Sequence, residues 1–211
     1  MLPHTAREML RSGALLAGFA MIGGAALAAA HVLTEDRILE QQRQTLIGRL
    51  SEIVPPARYD NELLADTLQL RAPEALGRDR PVTVWRARRG GQPVAVLLET
   101  VAPDGYNGDI ELLVGVNADG RLAGVRVLSH RETPGLGDKI ELTRSDWILQ
   151  FAGRSLDDPP ADWRVRKDGG RIDQFAGATI TPRAVLAAVR RTLVYAGNNM
   201  DALFADPEPK P

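Results

Sequence analysis

Cysteine is absent from all 211 residues. That excludes disulfides, cysteine-ligated zinc, iron-sulfur clusters and thiol catalysis from the chemistry of this chain, and it leaves the redox compartment unreadable from cysteine usage. Histidine is nearly missing too: His4, His31 and His130 stand far apart with no metal-ligand spacing. Charge of one sign is also lacking. The 26 basic against 27 acidic residues leave a formal net charge of −1, so no broad field attracts nucleic acid, and nucleic acid is not an expected partner. There is no Gly-x-Ser-x-Gly elbow, no phosphate-binding P-loop, no internal repeat and no low-complexity block. Ser129 and His130 adjoin, but neighbours on a strand face opposite ways, which argues against a nucleophile-base pair.

What the chain does have is one long apolar run. Residues 13–33 are apolar except for His31, and as a helix they span about 31 Å, close to the ~30 Å hydrocarbon thickness of a bilayer. Arg7, Arg11 and the amino terminus precede the run, and Glu35, Asp36 and Arg37 follow it. The positive-inside rule therefore predicts a cytoplasmic N-terminus over residues 1–12, a transmembrane helix over 13–33, and an extracytoplasmic remainder. A cleaved signal peptide is the competing reading, because Ala28-Ala29-Ala30 offers a small-residue site that would leave His31 first. The run is longer than the usual ~7–15-residue signal core.

Beyond the anchor, Ile38, Leu39, Leu46, Ile47, Leu50 and Ile53 recur at helical spacing. They predict a juxtamembrane helical stalk over 34–56, stopped by Pro55-Pro56. Val82 to Arg89 and Pro93 to Val101 flank Gly90-Gly91-Gln92, and Asp109 to Val116 and Arg121 to Leu128 flank Asn117-Ala118-Asp119-Gly120, so two hairpins are expected. A helical stripe over Lys139 to Phe151, a short strand over Trp163 to Lys167, and a helix over Pro182 to Tyr195 ended by Gly197-Asn198-Asn199 complete the reading. Strands and helices alternate in blocks, which predicts an α+β fold: an antiparallel sheet meander with packed helices. The folded domain is set at 57–197, with a C-terminal tail over 198–211, loose from Asp206 on.

Two loops carry the chemistry. Residues 173–182 read Asp-Gln-Phe-Ala-Gly-Ala-Thr-Ile-Thr-Pro. Thr181 before Pro182 is the expected N-cap, which puts Thr179 just ahead of the positive end of a helix dipole, a favourable place for a phosphate ester. The second loop, Glu132-Thr133-Pro134-Gly135-Leu136-Gly137, is tight enough to turn backbone N–H groups toward a ligand.

With Gly105-Tyr106-Asn107-Gly108 and Lys167-Asp168-Gly169, these loops resemble the FMN-binding domain family over roughly Val82 to Tyr195. Together with the anchor, the chain resembles the G-subunit family of Rnf-type (Rsx-type) electron transport complexes. The C-subunit family of sodium-translocating NADH:quinone reductases is the close alternative. The resemblance implies FMN bound covalently through a phosphodiester to Thr179, with Thr181 the lesser candidate. It also implies that Gly177, Ala178, Thr181, Glu132, Thr133, Gly135, Leu136 and Gly137 surround the cofactor, that Leu136 and Trp147 pack on the isoalloxazine, and that Asp173 serves recognition by a flavin transferase. Ala176 departs from the pattern, which more often has serine or threonine there.

The implied partners are the other membrane subunits of the complex, the transferase and membrane lipid. The implied place is the bacterial inner membrane, and the implied role is electron transfer that couples ferredoxin and NAD chemistry to ion translocation. No catalytic side chain and no metal are expected, because the flavin itself accepts and passes electrons. A tethered binding or scaffold domain without cofactor is the reading from another class.

Overall fold

The structure is a computed structural model that describes residues 4–205. It forms two compact units, Met1–Gly48 and Arg49–Pro211.

The described part of the first unit is helix throughout, the greater part of α1 (His4–Ile53). None of its most apolar stretch is buried, and this is the one helix among the described residues long and apolar enough to cross a membrane. Large apolar side chains such as Leu16 and Phe19, the latter 74% exposed, point outward around the whole circumference. Water does not tolerate such a surface, and a bilayer favours it. The helix runs unbroken through Ala28–Ala30 and into the charged stretch, where Thr34 Oγ1 donates back to the Ala30 carbonyl at 2.8 Å.

The second unit takes in the last turn of α1. Its centre is a five-stranded antiparallel meander in sequence order: β1 (Thr67–Leu70), β2 (Val82–Arg89), β3 (Gln92–Gly105), β4 (Gly108–Asn117) and β5 (Leu122–Ser129). The expected hairpins are present, with Gly90, Gly91 and Gly120 at positive φ in their turns. One face of the sheet, with Val96, Leu98, Leu112 and Val114, packs against α3 (Ile180–Phe204), which contributes Val185, Val189 and Leu193. The other face buries Leu97 and Leu113, and Leu50, Ile53 and Val54 are buried with them in the unit. Ile53 comes down on β4, since a Cβ at Gly115 would collide with its Cγ2. Glycine there admits the contact. The sheet is thus covered on both sides, which is why its strands read as apolar runs rather than a clean alternation.

Several expectations need correction. The stripe over 139–151 is not one helix but two short 3₁₀ helices, Asp138–Ile140 and Asp146–Phe151. Ser145 restarts the second by accepting a hydrogen bond from Trp147 N at 3.2 Å. Trp163 to Lys167 is not a strand: 3₁₀ turns at Pro160–Trp163 and Arg166–Asp168 occupy it, and only Val165 forms a bridge, to Ile172. Prolines on one side and Gly169-Gly170 on the other leave no room for extension.

The last helix leaves helical geometry at Asn199 (φ −127°, ψ 17°), within the expected stop Gly197-Asn198-Asn199, and beyond this kink a further short helical turn runs to Phe204. Burial of Leu203 and Phe204 holds this extra turn, as do Arg86 and Arg88, which donate to the Ala205 and Phe204 carbonyls at 2.8 and 2.7 Å. The tail expected from 198 therefore begins later, and the loose segment from Asp206 lies outside the described residues. Strand β1 and the short helix α2 (Pro73–Leu76) had no counterpart in the sequence reading.

Candidate cofactor site

The site forms where the start of α3 meets the loop after β5. Helix α3 begins at Ile180, so Thr179 and not Thr181 occupies the N-cap position, and the Thr179 side chain makes no capping hydrogen bond. Thr181 lies inside the first turn, 0% exposed, and its hydroxyl donates to the Glu132 carboxylate. The expected cap at Thr181 is overturned by that buried acceptor, 49 residues away in sequence. Pro182 fits one residue further in, because first-turn N–H groups have no intrahelical acceptor to lose.

Glu132 is 4% exposed and organises the pocket floor. Its Oε1 accepts from Asn107 N at 3.0 Å in the β3–β4 turn, and its Oε2 takes the Thr181 hydroxyl. Its own N–H donates to His130 Nδ1 at 2.9 Å, so the imidazole proton sits on Nε2, 2.7 Å from Glu141 Oε1. Two glycines make room for this carboxylate. A Cβ on Gly137 would come within 2.8 Å of Glu132 Cβ, and one on Gly105 within 3.1 Å of its Oε1. The resulting strap joins the hairpin turn, the Glu132–Gly137 loop and α3 around a satisfied buried acid.

The threonine loop is held from below. Ala178 N donates to the Phe175 carbonyl at 3.2 Å, closing a tight turn with Gly177 at φ 80°. The Phe175 ring meets Trp147 edge-on at 5.2 Å, and Trp147 Nε1 donates to the Asp173 carbonyl at 2.6 Å. At the helix start, Arg183 Nη1 donates to the Thr179 carbonyl at 3.1 Å, while its Nε and Nη2 grip Asp168 at 2.7 and 2.8 Å. That guanidinium holds the Asp168 carboxyl below the usual carboxylate range.

Between the two loops lies a cleft of about 390 Å³, within the ordinary size of small-molecule sites. Of the residues singled out in the sequence, Glu132, Thr133, Leu136, Gly137, Gly177, Ala178, Thr179 and Thr181 all line it. Gly135 and Asp173 do not. Gly135 supplies the positive φ (78°) of its turn, and Asp173 faces solvent in an ion pair with Arg166 at 2.6 Å.

Trp147 is not at the cleft wall either: it is 6% exposed inside the core, and its role is to carry the loop. Tyr106 and Ile180 line the cleft without having been foreseen, although Tyr106 sits in a small-residue turn whose glycines are visible in the sequence. The sequence argues against His130 as half of a hydrolase pair. Its partners are Glu132 and Glu141, while Ser129 Oγ donates to Glu111 at 2.9 Å, so no such pair exists.

The residues fit a flavin nucleotide. Leu136, Ile180, Tyr106 and the small backbone stretches offer apolar surface for a flat ring, and Thr179 stands at the positive end of a 25-residue helix with its hydroxyl uncommitted. Among the described residues no group of acidic or histidine side chains could hold a metal ion.

Comparison with known proteins agrees with this geometry. Residues 105–194 match the FMN-binding domain family, and residues 1–53 match the RnfG N-terminal region. The G subunit of the ion-translocating oxidoreductase complex of Pseudomonas aeruginosa strain UCBPP-PA14 is 51% identical over 97% of this chain and 96% of its own. The Shewanella amazonensis protein of the same name is 48% identical over 95% and 94%, and that of Vibrio atlanticus 46% over 93% and 94%. A likeness of this depth over nearly the full length, with the two loops meeting on one cleft, places the chain in the G-subunit family of ion-translocating oxidoreductase complexes.

Proposed function

We propose that this chain is the membrane-anchored flavoprotein component of such a complex, carrying FMN esterified through its phosphate to Thr179 and passing electrons between partner subunits. The observation that carries the reading is the convergence of the Thr179 loop and the Glu132–Gly137 loop on one cleft. Thr179 would hold the phosphate, where the α3 dipole favours negative charge. Leu136, Ile180 and Tyr106 would bear on the ring system, Thr133 and the backbone of Gly177 and Ala178 would supply hydrogen-bonding contacts, and Thr181 would hold the floor of the cleft through Glu132. When bound, the flavin supplies the redox chemistry, and the protein contributes position, a dry wall and tuning.

A covalent link retains the cofactor on the extracytoplasmic side of the bacterial inner membrane, where we place the second unit, with the N-terminus cytoplasmic and α1 contacting lipid. In maturation the Thr179 oxygen bonds to the flavin-side phosphorus of FAD, the pyrophosphate bond breaks, and adenylate and the hydroxyl proton leave. A separate flavin transferase performs this step, with Asp173 part of what it reads.

The test is intact and peptide mass of the full-length chain after co-expression with a flavin transferase. The expected increment is FMN less water on the peptide that contains Thr179. Thr179→Val should abolish it together with the flavin-fluorescent band on a denaturing gel; a band unchanged in that variant refutes the assignment. The same spectra report the mature N-terminus, and a start at His31 would remove the anchor. A reporter fused after Phe204 that is active only in the cytoplasm would overturn the orientation.

A further inference from the structure

Beside the acceptor loop runs a second cleft of about 350 Å³, between α3 and residues 160–168, and no cofactor contact accounts for it. Its significance rests on Thr179 being the modified residue. An enzyme that esterifies Thr179 must hold this loop while leaving the hydroxyl free, yet the loop offers little to hold. Ala176, Gly177 and Ala178 have no functional side chain, and Asp173, the single charged residue of 173–182, is already paired with Arg166. Affinity beyond what Asp173 gives must therefore come from surface next to the loop.

The second cleft has the right connection and the right charge. Arg183, at its edge, donates to the Thr179 carbonyl, so acceptor and groove share a residue. Four arginines, Arg164, Arg183, Arg190 and Arg191, line it against one carboxylate, Asp168, which Arg183 already occupies. Arg164 and Arg190 are exposed and form no ion pair among the described residues. Arg191 donates through Nη2 to the Val101 carbonyl at 3.1 Å, but its buried Nε has no partner. Trp163 and Leu186 give the groove an apolar base. Arg164 does bear electrostatically on Asp168, but four guanidinium groups against one carboxylate leave a local excess of positive charge in a chain whose formal charge is −1, and that excess complements an acidic strip.

We propose that this groove docks an acidic segment of the enzyme that esterifies Thr179, engaged by Arg164 and Arg190, while Arg183 ties the docked surface to the acceptor backbone. Exposed charges of this kind act on encounter and are screened by salt. The test uses purified full-length chain in detergent, a purified flavin transferase and FAD, with the initial rate of covalent flavin incorporation measured against chain concentration.

The expected result for Arg164→Glu/Arg190→Glu is a fall of about tenfold or more in kcat/KM, carried by KM with kcat retained. Lysine at both positions should keep most of the wild-type value, and the wild-type KM should rise with salt while that of the charge-reversed chain hardly moves. A reversed chain modified at the wild-type KM overturns the proposal. So does a wild-type KM indifferent to salt, which needs no variant to fold. Normal flavin incorporation with lost assembly into the complex would assign the groove to another component of the complex and likewise overturn it. Failure of the cofactor assignment looks different, since there the wild-type chain takes up no flavin or Thr179→Val still does.

Discussion

Thr181→Val isolates the bond on which the cofactor site is built. Valine nearly matches threonine in shape, so the substitution removes one hydroxyl and leaves the packing of α3. The lost bond runs to a carboxylate that is 4% exposed, and afterwards Glu132 keeps only the Asn107 N–H at 3.0 Å. Hydrogen bonds to charged groups contribute about 1.5–3 kcal/mol, and an orphaned buried oxygen puts the cost at the upper part of that range. For a unit of this size, each kcal/mol lowers Tm by about 2–4 °C, so a fall of roughly 5–10 °C is expected.

Trp85, Trp147 and Trp163, the only tryptophans, all lie in the second unit. Their fluorescence during unfolding of the full-length chain in detergent therefore reports that unit alone. Thr181→Ser keeps the donor and should cost no more than about 1 kcal/mol, the value of a buried methyl group. Thr181→Asp separates the bond from ordinary capping: an N-cap accepts Asp readily, whereas here it would set two carboxylates against each other in a buried pocket. In a double-mutant cycle with Glu132→Gln, a coupling of about 1–2 kcal/mol is expected. A loss below about 0.5 kcal/mol for Thr181→Val, or strict additivity in the cycle, would refute the strap.

Three further outcomes follow from the same contacts. Gly137→Ala should destabilise by about 1–3 kcal/mol and reduce flavin incorporation, because the new methyl group meets Glu132 Cβ at 2.8 Å and Thr181 Oγ1 at 3.1 Å; tryptophan-monitored unfolding and in-gel flavin fluorescence check both. Trp147→Phe removes the N–H that holds the Asp173 carbonyl at 2.6 Å, and a cost of about 1.5–3 kcal/mol is expected with faster proteolysis within 173–178; a cleavage pattern identical to wild type would deny Trp147 its supporting role. Glu99 has its carboxyl raised above 4.5, first by burial and then by Glu111, against the pull of Arg78. A carboxyl raised in the folded state adds stability that is present below the unfolded value and is lost as pH rises through the folded one, so Glu99→Gln should gain on wild type as pH climbs from 4.5 to above the ordinary carboxylate range. A stability difference flat across that interval contradicts the reading.

The sheet was legible because its turns are local. Gly90-Gly91 and Asn117 to Gly120 announce hairpins in the residues that must adopt positive φ, and the strands between them carry their own apolar pattern. Strand β1 was illegible for the opposite reason: four residues, one of them Gln69, have no pattern of their own and become a strand only by pairing with Val82 to Trp85. The end of α3 shows local chemistry and long-range contacts both at work. Gly197-Asn198-Asn199 does break the helix, at Asn199, yet beyond the kink Arg86, Arg88 and the buried Phe204 hold one more helical turn that no local signal announces.

The two threonines of the acceptor loop show the same limit where function is decided. By local rules Thr181 is the cap and Thr179 the lead-in, since a proline follows the former. That order reverses because Glu132, brought to the spot by the loop after β5, needs a donor more than the helix end needs an acceptor. The reversal has a chemical consequence. Thr181 is fully buried with its hydroxyl spent on a carboxylate, so no enzyme can reach it, whereas Thr179 keeps a half-buried hydroxyl with no capping bond at the same helix start. On the proposed linkage, selection between the two threonines of this turn depends on burial by a distant acid, not on dipole or spacing. Opening the strap with Glu132→Ala should, on the proposed linkage, be the substitution that lets flavin appear at Thr181 when Thr179 is blocked, and peptide mass mapping of Glu132→Ala/Thr179→Val after co-expression with the transferase would detect it. Absence of flavin from Thr181 in that chain would mean that the transferase reads the spacing of the loop itself, and that burial only reinforces a choice already made.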